Sequence, residues 1–199
     1  MPMEVSKKDS KFLWIGNSHF LDFVNTEMVQ GGRPADLLVG ADDVLQWLGE
    51  AGFSLKVTIR PNDTRLRGEL LAATRGYRSA LRLAAQRIAF DGSVPSHILR
   101  TTNEFLKRRN HWFEVTEGRS GIAMRDRWIV ERPEDVCAPI AHAFGQFTSS
   151  ADFSRLRKCK NPDCVLFFYD TSKSNTRSWC SLDICGNKLR VAAFRQRSG

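Results

Sequence analysis

The residues with the clearest chemistry are four cysteines near the end of the chain, arranged as two pairs with equal internal spacing. Cys159 and Cys164 form the first pair, and Cys180 and Cys185 form the second. Two C-x4-C pairs fifteen residues apart indicate a four-thiolate zinc site, because Zn²⁺ prefers four soft ligands in a tetrahedron. The alternatives are reduced cysteines without metal, or two disulfides.

The residues around these cysteines favour the metal. Asn161, Pro162 and Asp163 form a turn sequence inside the first pair, and Gly186 directly after the second pair lets the backbone bend around an ion. A segment this short can hardly bury a core without a covalent or metal crosslink. We therefore expect one structural Zn²⁺ per chain.

The same segment resembles a known family. Trp179 to Lys188 reads W-C-S-x3-C-G-N-K, and Asp170 to Lys173 reads D-T-S-K. Both motifs are similar to the CGNR-type zinc finger of bacterial regulators, whose metal ligands match the four cysteines position by position. In that family a basic helix follows the motif, as Arg190 and its neighbours do here. Lys188 stands where the family has arginine, which keeps the charge but loses the bidentate fork.

The first part of the chain resembles the domain that precedes such fingers. LDFVNT at 21–26 and DVLQWLGEAG at 43–52 are similar to the ABATE domain. The resemblance implies a DNA-binding transcriptional regulator of stress responses. It divides the chain into an ABATE-like domain, 1–154, which senses a ligand or dimerises, and a finger, 155–199, which contacts DNA.

Charge is distributed unevenly along the chain. Residues 155–199 hold 10 Lys and Arg against 3 Asp and Glu, whereas residues 1–154 hold 20 against 19. Such asymmetry is typical of a polyanion-binding end. We therefore expect the first part to fold alone and the last part to bind nucleic acid.

Six cationic residues are the candidate nucleic-acid contacts: Lys173, Arg177, Lys188, Arg190, Arg195 and Arg197. If 183–197 is helical, Lys188 and Arg195 lie on one edge of its metal-facing side, and Arg190 and Arg197 lie on the other. Such rows suit phosphate contacts, and Arg190 is the candidate to reach a base edge. Trp179 either shields the metal or stacks on a base.

Two features of the first part remain open. His19, Asp22 and Asn25 share a helical face and are a candidate ligand pocket, although polar residues at a helix start often only cap it. Cys137, the fifth cysteine, is either a buried structural residue or an additional ligand.

The predicted fold is α+β, with a mostly helical first domain containing a small hairpin and a small four-cysteine module of treble-clef type. Periodicity predicts helices over 18–29, 41–52, 63–90, 96–110 and 133–148, and a hairpin pairing 112–115 with 121–124. The arginines of the 63–90 helix are expected on a solvated face, or in contact with nucleic acid. Ser149 to Asp152 is the expected hinge between the two parts.

Other function classes are less well supported. The polar start predicts no secretory signal, no apolar run is long enough for a bilayer, and metal-binding thiols favour the cytoplasm. A site closed by four thiolates has no open position for substrate, and no P-loop, G-x-S-x-G or H-E-x-x-H motif occurs. We expect no enzymatic activity. The alternatives to a regulator are an adaptor that binds RNA or an acidic protein through the zinc module, and a small-molecule binder.

Overall fold

The computed structural model describes residues 10–108, 111–118 and 121–187, and has the predicted mixture of helices and strands. The helices are α1 (His19–Val24), α2 (Ala41–Glu50), α3 (Thr64–Asp91), α4 (Ser96–Leu106) and α5 (Cys137–Ser150). The strands are β1 (Glu27–Gln30), β2 (Arg33–Asp36), β3 (Ser54–Val57), β4 (His111–Gly118), β5 (Gly121–Val130), β6 (Leu156–Lys158) and β7 (Phe167–Tyr169). Single helical turns lie at Pro133–Val136, Phe153–Arg155 and Leu182–Gly186. Among the helices of the described ranges, none has the length and apolar character needed to cross a membrane.

The strands of the described residues form three small sheets. β1 and β2 make a tight hairpin through Gly31 and Gly32, whose φ angles of 58° and 80° favour glycine. β5 is the central strand of the second sheet, antiparallel to β4 and parallel to β3. β6 and β7 form the third sheet. The predicted hairpin at 112–124 is confirmed as β4 and β5.

Helix α1 lies at the centre of the core. The buried ring of Phe20 packs on Phe144 and Phe147 of α5, with centroid separations of 4.9 and 5.2 Å. On the neighbouring side, Phe23 packs edge-on against Trp47 of α2 at 5.1 Å. Aromatic pairs of this kind add to the stabilisation from apolar burial, so α1 is held on two sides.

Helix α3 has a defined cap at each end. The Asp63 carboxylate accepts a hydrogen bond from the Leu66 N–H at 3.0 Å, which satisfies a free donor of the first turn. Gly92 ends the helix at a φ of 71°, a left-handed conformation that glycine adopts without strain.

Two arginines of α3 point into the protein. Arg78 is 3% exposed and donates two hydrogen bonds of 2.7 Å to the Asp36 carboxylate. Arg82 donates to the Val24 carbonyl at 2.7 Å and to the Val165 carbonyl at 3.0 Å. The expected solvated arginine face is therefore wrong for these two residues, because guanidinium groups also serve as internal donors to carboxylates and carbonyls.

The predicted first helix ends earlier than its apolar period indicates. α1 stops at Val24, and Met28 lies on β1 instead of on a helical face. The Thr26 hydroxyl donates back to the Phe23 carbonyl at 2.7 Å, and β1 begins at the next residue. This local hydrogen bond competes with continued helix, which is why the prediction of helix through Met28 is wrong.

Two other predicted helices differ at their ends. α4 ends at Leu106, and Arg109 and Asn110 lie outside the described residues. The helix predicted from Pro133 begins with one 3-10 turn and continues as α5. Its expected apolar band is buried: Cys137, Ile140, Ala141, Phe144 and Phe147.

The last segment of the chain is joined to the first by backbone pairing. The side-chain nitrogen of Asn25 donates to the Phe167 carbonyl at 2.8 Å, and the side-chain oxygen of Asn25 accepts from the Phe167 N–H at 2.9 Å. Two residues on, the Tyr169 N–H donates to the Gly16 carbonyl at 2.8 Å. A Cβ at Gly16 would lie 2.7 Å from the Cβ of Leu21, so only glycine fits at this position against α1. β7 is therefore bonded directly to the α1 region.

The two predicted parts also share one hydrophobic core. Leu156 and Phe167 of the last segment are buried in the same cluster as α1, α3 and α5. The expected hinge is short, because Ser149 and Ser150 form the end of α5 and Asp152 already caps the next turn. This packing argues against independent folding of residues 1–154.

We predict that Asn25→Asp lowers the free energy of unfolding by at least about 2 kcal/mol, because it removes the donor to the Phe167 carbonyl and buries a charge. Chemical denaturation followed by circular dichroism measures this. The matched control is Asn103→Asp on the exposed surface of α4, which should change stability by less than about 0.5 kcal/mol. Equal effects of the two substitutions would contradict the docking role of Asn25.

Candidate metal centre

The four cysteine sulfurs of the predicted site come together in the structure. Their Sγ atoms all lie within 4.8 Å of one another, and all four side chains are buried. Cys137 is buried on α5 and is not part of the group. Of its two predicted roles, the buried structural one is confirmed.

The sulfur separation fits a shared tetrahedral ion. Cys164 Sγ and Cys180 Sγ are 3.8 Å apart. Four ligands at about 2.3 Å from Zn²⁺ in a tetrahedron are about 3.8 Å apart, whereas a disulfide requires about 2.05 Å. All the cysteines are free thiols in the structure, so the disulfide alternative is excluded.

The first ligand pair lies on a turn between β6 and β7. The Cys164 N–H donates to the Asn161 carbonyl at 2.9 Å, and the Asp163 N–H donates to the Asn161 side-chain oxygen at 3.1 Å. The Asn161 amide donates in turn to Cys185 Sγ at 3.3 Å. Asn161 therefore shapes its own turn and orients a ligand of the other pair, as outer groups around metal ligands commonly do.

The second ligand pair is shaped by Ser181. The Ser181 carbonyl accepts from the N–H groups of Cys185 and Gly186 at 3.1 and 3.0 Å, and its hydroxyl accepts from the Asp183 N–H at 3.1 Å. A Cβ at Gly186 would lie 3.0 Å from Leu182 Cδ2. Gly186 does not adopt a left-handed conformation, and the nearest atom to that Cβ belongs to an exposed side chain that can move, so the bend that the sequence suggested as the reason for glycine is not seen.

The metal centre is enclosed by side chains from both ends of the chain. Trp179 packs against the cysteine cluster together with Leu13, Ile15 and Met28. Of the two roles predicted for Trp179, this contact favours shielding of the metal. Leu13 and Ile15, which precede α1, and Met28 of β1 thus form one wall of the site.

The thiols influence one another's ionisation. The hydrogen bond from Cys180 lowers the pKa of Cys164 to about 5, and the same contact raises the pKa of Cys180. Burial raises the pKa of Cys185. Sulfurs this close share protons unless a cation neutralises them, and Zn²⁺ binds thiolates. The donor set therefore fits zinc, which here would act as a structural crosslink.

Asp170 organises the loop that leads to the second ligand pair. Its buried carboxylate accepts from the Ser172 N–H at 2.9 Å, the Ser172 hydroxyl at 2.6 Å and the Arg177 N–H at 2.8 Å. Burial alone would raise the pKa of Asp170, but these hydrogen bonds and the Arg157 charge outweigh it and hold the pKa below 3.8. The carboxylate stays ionised at neutral pH.

Arg177, a predicted nucleic-acid contact, is directed inward. Its guanidinium donates to the carbonyls of Trp179, at 2.9 Å, of Ile15, at 3.2 Å, and of Cys180. It also lies over the Phe168 ring, 4.2 Å from the centroid. These contacts give Arg177 a structural role, and its contact with nucleic acid stays a prediction.

The other predicted nucleic-acid contacts divide into two groups. Lys173 is exposed on the loop after β7. The tail residues lie outside the described residues: Lys188, Arg190, Arg195 and Arg197. The interpretation of their spacing depends on a helix over 183–197. That helix stays a prediction, and so does the treble-clef fold.

The candidate ligand pocket shows three different environments. His19 is exposed, and its ring meets Phe53 at 5.6 Å. Asp22 is buried and accepts from the Gly16 N–H at 2.7 Å, while Asn25 pairs with β7. Asp22 and Asn25 thus form hydrogen bonds with backbone groups. Binding of a ligand there stays a prediction.

Several important residues were missed by sequence reasoning. Lys158 and Lys160 flank Cys159 and are exposed beside the metal centre. The sequence does contain a signal for them, since the two lysines lie directly before and after a metal ligand. Asp170 was also missed, although an Asp two residues before a Ser is a common turn sequence.

The fold and the site define a class of protein, a helical α+β domain carrying a four-cysteine zinc finger. Residues 155–198 match the family model described as CGNR zinc finger. Residues 17–149 match the ABATE model, described as "Putative stress-induced transcription regulator". The chain therefore belongs to the ABATE family, with a C-terminal CGNR zinc finger that holds one structural zinc ion. No curated protein matches the sequence.

We predict one zinc per chain in the purified protein and loss of that zinc in Cys180→Ser, because three thiolates and a hydroxyl form a much weaker site. Elemental analysis after dialysis measures the ratio. Cys137→Ala, which removes the cysteine outside the site, should keep the full ratio. Full zinc in Cys180→Ser would contradict the assigned ligand set.

We predict that Asp170→Asn lowers the free energy of unfolding by about 1–3 kcal/mol at pH 7, because the new amide presents a donor where two N–H groups need acceptors. Denaturant titration of zinc-loaded protein measures the difference. Asp163→Asn, at an exposed position of the same segment, should have almost no effect. If both variants were as stable as the parent, Asp170 would not be the organiser of this loop.

Proposed function

We propose that the protein is a zinc-dependent, DNA-binding regulator of transcription, in which residues 155–199 contact DNA and residues 1–154 sense a ligand or dimerise. Membership of a family of transcription regulators supports the general role. The DNA-binding part of the proposal depends on a basic groove beside the metal centre.

The basic groove runs between the end of α3 and β6 and encloses about 520 Å³. Arg157, Lys158, Lys160 and Arg177 contribute to its lining, and no carboxylate of the described residues does. A concave surface of one charge sign concentrates its potential and attracts a polyanion. The exposed ring of Phe90 lies at the α3 edge of this groove.

The cations of the groove have two different tasks. Arg157 donates to the Asn175 carbonyl at 2.9 Å, and Arg177 donates to the Trp179 carbonyl at 2.9 Å. Lys158 and Lys160 are exposed, and within the described residues their ammonium groups form neither an ion pair nor a hydrogen bond. The arginines build the groove and the lysines are left for phosphate, which a flexible ammonium group neutralises as a point charge.

The position of the lysines couples them to the metal. Cys159 lies between Lys158 and Lys160, and its sulfur belongs to the four-thiolate group. Its Sγ also accepts from the Cys180 N–H at 3.4 Å. Because zinc fixes this residue, the backbone that carries both lysines is fixed as well. Metal binding would then preorganise the phosphate contacts.

In this proposal Lys173, Lys188, Arg190, Arg195 and Arg197 also contact the DNA. We keep Arg190 as the residue that reaches a base edge and the others as phosphate contacts. With four thiolates on the zinc there is no open coordination position, so we propose no catalytic role for the metal. A regulator acts where the chromosome is, and we assign the protein to the cytoplasm.

We predict that Lys158→Gln/Lys160→Gln weakens binding to all DNA duplexes to a similar degree, since phosphate contacts carry no sequence information. The plot of log affinity against log salt should become shallower by about 0.9 for each phosphate that the protein no longer neutralises. Fluorescence anisotropy with a genomic duplex and a scrambled duplex, over a salt series, measures both quantities.

The matched control is Lys56→Gln/Lys107→Gln, which removes the same charge from surfaces outside the zinc module. It should leave the slope unchanged. An unchanged slope in the groove variant would remove Lys158 and Lys160 from the DNA interface. Tighter binding to a structured RNA than to any duplex, at the same salt, would favour the adaptor function over the regulator.

A further inference from the structure

The hairpin formed by β4 and β5 has two chemically different faces. In an antiparallel pair, residues directly opposite each other share a face, and so do alternate residues along each strand. Val115 lies opposite Met124, Phe113 is two residues before Val115, and Ile122 is two residues before Met124. These four side chains, called here the apolar hairpin face, therefore point to the same side.

The apolar hairpin face is uncovered in the single chain. Its members are exposed by 57% at Phe113, 69% at Val115, 81% at Ile122 and 68% at Met124. Isolated apolar residues are normal on a protein surface, but a contiguous group on one sheet face marks an interaction site. No element of the described residues packs over it.

The other face of the hairpin is more polar, and Trp112, 43% exposed, is a large apolar residue that also lies on it. Glu114 accepts a hydrogen bond from Arg127, which also donates to the Ser54 hydroxyl. Arg125 lies opposite Glu114 in the ladder. Half-buried sheets alternate polar and apolar in this way, so the pattern of these strands is that of a sheet whose apolar face is covered.

The base of the hairpin is held rigidly. The ring of His111 stacks on Trp128 at 4.0 Å, and Trp128 is 4% exposed. β3 pairs in parallel with the β5 residues from Arg127 to Val130. The apolar hairpin face thus projects from a base that is fixed to the rest of the chain.

We propose that the apolar hairpin face binds the same face of a second copy of this chain, with the two hairpins packed sheet on sheet. A specific interface buries at least about 1,000 Å² over both partners, so the contact would extend from these four exposed side chains to their neighbours on the hairpin. Two twisted sheets of this kind pack about 10 Å apart with interdigitated side chains.

The chemistry of the face favours a second copy over nucleic acid or a charged partner. Its four members carry no charge. Two acids lie on the same side of the hairpin: Asp126 is hydrogen-bonded to His111, and Glu117 lies near the turn. An apolar face matches another apolar face, and a two-fold arrangement uses one surface twice. Two copies would also provide two zinc modules for two half-sites on DNA. Only this last consequence depends on the proposed function.

The test compares two variants with equal charge change. Val115→Glu/Met124→Glu places two carboxylates on the apolar hairpin face, whereas Arg125→Glu makes the same change of two charge units on the polar face. Sedimentation velocity without DNA measures the mass. We expect twice the 22.6 kDa of one chain for the parent and for Arg125→Glu, and a single chain for the double variant.

Two results would overturn the proposal: a parent that is monomeric over the accessible concentration range, or a double variant that stays dimeric. Zinc content and circular dichroism check that the variants fold. Hydrogen exchange of the parent provides a measurement without substitutions, since amides of 111–118 and 121–130 should be protected more strongly at high than at low protein concentration. Unchanged protection there in a dimeric parent would place the interface elsewhere. DNA is absent throughout, so a failure here is separate from a failure of the DNA-binding proposal.

Discussion

The close approach of four buried sulfurs is the constraint on which the rest of this structure depends. Thiols within 4.8 Å of one another cannot all ionise without a cation, and zinc supplies both the charge and the tetrahedral shape. The two ligand turns are built for this arrangement. Asn161 and Ser181 position their own turns, and Asn161 also donates to Cys185 of the other pair. The metal centre is thus specified from backbone outward.

Two strands and a few hydrogen bonds connect the metal centre to the remainder of the molecule. β6 and β7 lead away from the first ligand pair, and Asn25 pairs with the backbone of Phe167 as another strand would. Arginines strengthen these links because one guanidinium can hold several carbonyls, as Arg82 and Arg177 do. Lys158 and Lys160 remain exposed beside the metal centre. Arginines thus stabilise the fold here, and the two lysines supply the exposed charge on which the proposed DNA contact depends.

Sequence reasoning was reliable where a local rule determines the outcome. Ligand spacing identified the metal site, and apolar periodicity placed each end of α3 within one residue of its observed position. It was less successful where distant segments decide, as at Asn25, whose partner lies far along the chain. The inward direction of Arg78 has the same cause, because its acceptor Asp36 is on a separate hairpin. The core that residues on both sides of the predicted boundary share could not be foreseen either, since composition does not report which apolar residues meet.

The most direct test of the central claim, that zinc forms the surface that binds DNA, is to measure DNA affinity as a function of zinc occupancy. A chelator would remove the metal stepwise from the full chain, and elemental analysis and fluorescence anisotropy would be read on the same samples. We expect the fraction of protein that binds the duplex to fall in proportion to zinc per chain and to return when zinc is restored. Metal-free protein that binds with unchanged affinity and an unchanged salt slope would contradict the account.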